Sequence, residues 1–223
     1  MQPFLLGKHE VTQSQWLLVL GRNPSGYAAG EQLGDVVFTV RHPVENCSWT
    51  MAHTFARRAG CVLPTEAQWE YACRAGSATP WSTGTSIASL VGAANFADEG
   101  ARALMAEGWS YHQGLDDGYA SHAPVGTFAA NPFGLHDLHG NVQEWCLDPA
   151  LSYGNPVAPG TGERRMADDQ QETAEEVGSV RQMRGGGFTS MASALRSARR
   201  RAASIATQQA ALGLRVARAL QRA

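Results

Sequence analysis

Gly134-Leu135-His136-Asp137-Leu138-His139-Gly140-Asn141-Val142-Gln143-Glu144-Trp145 is the most informative run in the chain. It sets two glycines, an asparagine and two carboxylates among apolar anchors. Asp137, a tight Gly140-Asn141 turn and Glu144, seven residues beyond Asp137, form an oxygen-rich loop of the kind that closes around a hard cation such as calcium. The simpler alternative is that both carboxylates cap local turns. His136 and His139 stand three apart like a zinc pair, but no third ligand with matching spacing accompanies them.

Upstream, Asp116-Asp117-Gly118 offers a second acidic turn. Between Gly76 and Gly134 there is no long periodic segment, and only residues 125–128 suggest a short strand. Three helices are expected earlier. Thr12 and Gln15 have capping-box spacing, with Trp16, Val19 and Leu20 on one face and Asn23-Pro24-Ser25-Gly26 as the stop. Ser48 caps a helix running to about Arg58, with Ala52, Phe55 and Ala56 inward and Gly60 ending it. Thr65 and Gln68 open a third, with Glu66 placed to suit the helix dipole. His42-Pro43-Val44-Glu45-Asn46-Cys47 reads as extended, because the residue before proline avoids the α region.

Downstream, residues 155–180 are acidic and poor in apolar side chains, which predicts an exposed or disordered insertion. Residues 183–188 and 212–216 read as late strands flanking Ala- and Arg-rich loop sequence. Few helices, short strands and long loops describe an irregular α+β domain, and 223 residues suffice for one such unit spanning 1–223. Loops of this length need fastening. Cys47, Cys61, Cys73 and Cys146 are scattered without metal-like spacing and read as reduced, mostly buried thiols of a cytoplasmic protein. A bound cation is therefore the natural fastener.

The formal net charge of −2 gives no bulk attraction to nucleic acid. No run approaches the roughly 18 apolar residues of a membrane helix, and residues 1–8 lack the pattern of a signal peptide. Nucleic-acid and membrane partners are thus not expected.

Glu10-Val11-Thr12, Leu63-Pro64-Thr65-Glu66-Ala67-Gln68-Trp69-Glu70, Asn131-Pro132-Phe133-Gly134-Leu135, Gly140-Asn141-Val142-Gln143-Glu144-Trp145, Arg184-Gly185-Gly186 and Gly213-Leu214-Arg215 follow one another in this order. Together they resemble the formylglycine-generating enzyme (sulfatase-modifying factor) family over about residues 4–216. The resemblance implies a calcium-stabilised, C-type-lectin-like fold low in regular secondary structure. The family's strands before the first motif are missing here. By the same resemblance, one calcium would fall on Asn95, the Phe96 carbonyl, Asp117 and the Tyr119 carbonyl. A second would fall on Asp137, the Gly140 and Val142 carbonyls and Glu144.

Active members hold copper on two cysteines after the Arg-Gly-Gly motif. Those positions are Ser190 and Leu195 here, and a hydroxyl and a hydrocarbon do not hold a soft metal. Gly187 replaces a usual serine and Gln143 a usual tryptophan. No catalytic residues and no copper are therefore expected. Sulfoxide synthases of the same fold need a helical domain with a histidine triad, which this sequence does not contain. In C-type-lectin-like folds, and in the variable proteins of diversity-generating retroelements, the C-terminal stretch forms the ligand surface. Carried onto this chain, that surface is Thr189, Ser190, Met191, Ser193, Ala194, Arg199, Arg201, Ala203, Ser204, Thr207 and Gln209. The partner implied is a protein or peptide, and the Arg199–Arg201 cluster also suits a phosphate or an acidic peptide. At least one of these arginines is expected to form an internal salt bridge. The competing expectation is an oxidoreductase with altered chemistry in the same pocket, and a third is an assembly protein.

Overall fold

A computed structural model of the chain describes residues 1–104, 109–166 and 179–220. Strand β1 (Phe4–Leu6) leads to helix α1 (Gln13–Leu20), the small hairpin β2 (Gln32–Leu33) and β3 (Val36–Val37), then α2 (Trp49–Arg58) and α3 (Glu66–Arg74). A long irregular stretch follows, carrying short 3-10 turns and isolated bridges among its described residues, before β4 (Gln143–Pro149). The chain ends with β5 (Val180–Arg184), β6 (Arg201–Ser204), β7 (Leu212–Gly213) and β8 (Ala217–Ala219).

The helices form where their caps demand. Thr12 and Thr65 close full capping boxes with Gln15 and Gln68, and the Ser48 hydroxyl accepts from the Met51 amide. In α2 the buried residues are Ala52, Phe55 and Ala56, as their spacing requires. Helix α1 stops earlier than the Asn-Pro turn suggests. Gly21 takes the left-handed conformation at φ +77° and its amide bonds the Leu17 carbonyl, a helix stop available to glycine at little cost.

The sheet order is β6-β5-β4-β7, with β4 antiparallel to β5 and parallel to β7. On one face Trp145 of β4 packs with Trp16 and Phe55, which stack at 5.1 Å, and its Nε1 donates to the Cys47 carbonyl at 2.9 Å. Two smaller apolar clusters lie apart from this one, one in the loops around Trp81, Leu90, Phe96 and Leu195, the other between α3 and β4 around Trp69, Cys73, Leu138 and Cys146.

Several expectations change, among them the strand expected at 183–188, which is β5 (Val180–Arg184). Residues 125–128 form a turn rather than a strand, because Gly126 at φ +76° reverses the chain. Residues 201–204, expected as loop, pair with β5 as an edge strand. Of residues 155–180, the part up to 166 is a tied loop. Val157 bridges Arg164, Ala158 is buried, and the Thr65 hydroxyl donates to the Thr161 carbonyl at 2.8 Å. Residues 167–178 lie outside the described residues.

Gly140 and Asn141 hold the irregular half to the sheet. The Asn141 amide donates to the Asn95 carbonyl at 2.9 Å, and the Phe188 amide to the Asn141 carbonyl at 2.9 Å. The Asn141 side chain bonds both the Ala123 backbone and Glu10. Gly140 sits at φ +99°, and a Cβ there would lie 1.9 Å from the Asn95 oxygen. Only glycine permits that approach.

Candidate functional site

In the first cation set, Asp117 binds the backbone of two other members. Asp117 accepts from the Phe96 and Tyr119 amides, each at 2.9 Å. Asn95 is fully buried, and its side-chain oxygen has no partner. Asp98 and Asp116 stand near, and none of the three aspartates makes an ion pair among the described residues. Burial, with these acidic neighbours, pushes Asp117 up to about 7. A buried oxygen without a partner among the described residues, and carboxylates without ion pairs, are each chemistry that suits a hard cation. No group of three His, Cys, Asp or Glu side chains converges as a metal-ligand set among the described residues. The set here relies instead on one carboxylate, one amide and two carbonyls.

The second set is different. Asp137, at φ +60°, accepts from the Gly126 amide at 2.7 Å with one oxygen and leaves the other buried and unpartnered. Glu144 has no such vacancy. Arg215 reaches it through Nε at 2.9 and 3.0 Å and through Nη2 at 2.8 Å, and Trp69 Nε1 donates to it at 2.7 Å. Asp137 fits a cation ligand, whereas the lone pairs of Glu144 are already filled by a guanidinium and an indole.

Glu10 joins this cluster without having been singled out in the sequence. It accepts from the Val142 amide and the Asn141 side chain, and it is wholly buried. Burial, then the charges of Asp137 and Glu144, push it well above the ordinary carboxylate range against the pull of Arg215. Three interior acids thus face one guanidinium.

The two positions aligned with copper ligands lie in the segment between β5 and β6. Ser190 Oγ accepts from the Gly187 amide at 3.1 Å, and the Ser190 carbonyl accepts from Ala97 at 2.9 Å. Leu195 has no exposed surface and packs with Trp81, Leu90, Phe96 and Ala192. This donor set does not fit copper. The two imidazoles raised as a zinc pair diverge: His139 bonds the Leu195 carbonyl and the Ser82 amide, while His136 bonds the Phe128 carbonyl. His122 is buried against Tyr27, Phe38, His42 and Phe188, with neither ring nitrogen partnered among the described residues. Burial lowers it to about 3, so it stays neutral.

None of the eleven ligand-surface residues is buried, but they occupy three neighbouring places. Thr189, Ser190, Met191, Ser193 and Ala194 lie on the loop against residues 97 and 112. Arg199, Arg201, Ala203 and Ser204 lie on and just before edge strand β6. Thr207 and Gln209 follow it beside α2, where the Asn46 amide bonds the Gln209 carbonyl. The expected internal salt bridge is Arg200 on Glu66, with Arg200 Nη2 to Glu66 Oε2 at 2.7 Å.

Residues 1–220 match the sulfatase-modifying factor enzyme 1-like domain, and the chain belongs to that family. The formylglycine-generating enzyme of Streptomyces coelicolor is 34% identical over 165 residues, covering 68% of this chain and 48% of that one. Across the first three curated relatives, the match spans 33%, 48% and 35% of their length. Two solved structures share the fold. Treponema denticola variable protein 1 has a TM-score of 0.72 at 22% identity, over 97% of this chain and 84% of that one. PvdO from Pseudomonas aeruginosa has a TM-score of 0.68 at 26% identity, over 98% and 81%. The architecture is the irregular α+β formylglycine-generating-enzyme/C-type-lectin-like fold.

Proposed function

We propose that this chain is a non-catalytic binding domain that takes a protein or peptide on the face carrying residues 189–209, with calcium bracing the loop cluster of Asn95, Phe96, Asp117 and Tyr119. The observation that carries the reading is Leu195: where the active enzymes need a thiolate, a leucine with no exposed surface packs into an apolar cluster. Ser190 supports it, because its hydroxyl serves its own loop. The variable protein of a diversity-generating retroelement is the most concrete form of this reading, and the fold shared with the Treponema protein supports it.

Two experiments test it. Substitutions at Ser193, Arg201, Ser204 and Gln209 should abolish partner capture and leave the melting temperature unchanged. Stoichiometric Cu(I) uptake, with conversion of a cysteine-bearing peptide to an aldehyde, would establish the oxidoreductase alternative instead. In the coding DNA, an imperfect repeat of codons 187–215 beside a reverse transcriptase supports the retroelement form, and its absence rejects that form.

A further inference from the structure

Beside the sheet edge, residues 78–80 and 196–200 enclose a groove of about 480 Å³. Arg74, Arg196, Arg199 and Arg200 line it, with Ala78, Pro80 and Ala198 as neutral wall. Two of the guanidinium groups are already matched. Arg74 pairs with Glu70 at 2.8 Å, and Arg200 pairs with Glu66. The other two are not. Arg196 gives its Nε to the Ser193 carbonyl at 2.9 Å, and neither Arg196 nor Arg199 has a carboxylate partner among the described residues. Both are exposed.

The nearby acids have no charge to spare. Glu66 also faces Arg184 at 3.5 Å and Arg164 at 3.9 Å, and Glu70 pairs with Arg184 as well. On a chain of formal net charge −2, this groove is a local positive surplus. Its backbone is also held in advance. The buried Arg184 donates to the Arg199 carbonyl at 2.9 Å and the Ser197 carbonyl at 2.8 Å, and the Ser197 amide bonds the Pro80 carbonyl at 2.8 Å. A preset groove avoids much of the ordering cost of binding.

We propose that a partner protein lays a carboxylate-rich peptide segment in this groove, against Arg196 and Arg199. The inference deepens the binding-face reading and rests on it, since Arg199 belongs to both. Guanidinium forks match carboxylates in bidentate fashion. The groove has room for a stretch of peptide, and its neutral wall suits the methylene stems of glutamates.

Fluorescence anisotropy of a labelled hexaglutamate peptide, titrated with the full chain, tests this. Saturable binding is expected, weakening by about tenfold between about 0.05 and about 0.3 M salt. R196E/R199E should weaken it by at least about tenfold, because rim charges set this attraction. Hexaglutamine should not bind. Both arginines are exposed, so the variant should keep its melting temperature; if it does not, R196Q/R199Q takes its place. Absence of saturable hexaglutamate binding, equal binding by the double variant, or full displacement by inorganic phosphate at equal charge would each overturn the proposal, the last by revealing a simple anion site. If hexaglutamate fails while substitutions at Ser204 and Gln209 still abolish partner capture, the acidic-segment inference falls and the binding-face reading stands.

Discussion

Arg215 and Glu144 meet at 2.8 Å, with neither side chain reaching solvent. Arg215 also donates to the Gly7 carbonyl and the His136 carbonyl, each at 2.9 Å, so one guanidinium joins the first strand region, the 134–145 loop and the C-terminal segment. Removing the carboxylate would leave a buried cation without its partner. Glu144→Gln should therefore cost about 3–5 kcal/mol, read as a lower urea midpoint at unchanged slope. The loss should be the same in calcium and in chelator, because Arg215 fills the lone pairs of Glu144. A calcium-dependent loss would restore Glu144 as a cation ligand.

Gly140→Ala should prevent soluble folding or cost well over about 3 kcal/mol, since the new methyl would strike the Asn95 carbonyl and the backbone is left-handed. Gly118 is the control. It has φ +89° but nothing within 4 Å of a built Cβ, so Gly118→Ala should cost only about 1–2 kcal/mol of backbone strain. Equal midpoints for the two variants would remove the close approach as the cause.

Asp117 gives a pH test. Its folded value of about 7 lies above the unfolded value near 3.9, so between these values the folded state binds more protons. Its contribution to stability is therefore most favourable at low pH and declines as pH rises from about 4 to about 7. Calcium stabilises the charged form, so the calcium-induced rise in melting temperature should be larger at about pH 8 than at about pH 5. Asp117→Asn should flatten the slope in chelator and remove most of the calcium response. A calcium response identical at both pH values, or retained in the variant, would place the ion elsewhere.

Ser190 and Leu195, which the family resemblance aligns with copper-binding cysteines, should behave unequally. Leu195→Ala empties part of a closed apolar cluster and should cost about 2–5 kcal/mol. Ser190→Ala loses one hydrogen bond at a half-buried site and should cost about 1 kcal/mol. Denaturant midpoints compare them directly, and a neutral Leu195→Ala would mean that the cluster is not packed as described.

What could be read from the sequence was what is local. The caps at Thr12, Ser48 and Thr65 need only a hydroxyl and a residue three or four positions on, and all three helices start where those signals stand. The strands were harder. β4 is buried along most of its length and overlaps the Gly-Asn-Val-Gln-Glu-Trp motif, so alternation never shows. β6 is written in Arg, Ala and Ser, which carry little strand preference, and it exists because β5 offers an edge. At the candidate site, Asp117 does meet the backbone of Phe96 and Tyr119. The Arg215 partner of Glu144 is not legible locally, because it stands 71 positions away. An arginine set directly among the apolar residues of Gly213-Leu214-Arg215-Val216 was the available hint of a buried counter-charge. Glu10 and His122 gave no comparable sign.

The pairing of β1 with β8 sets Phe4 opposite Ala219 in an antiparallel ribbon. Polypeptide enters and leaves the fold at one edge, so a host protein could carry it as a cassette within a single surface loop without stretching its own frame. Circularly permuted versions, with the two ends spliced by a short linker and new ends opened in an exposed turn, should fold to the same shape.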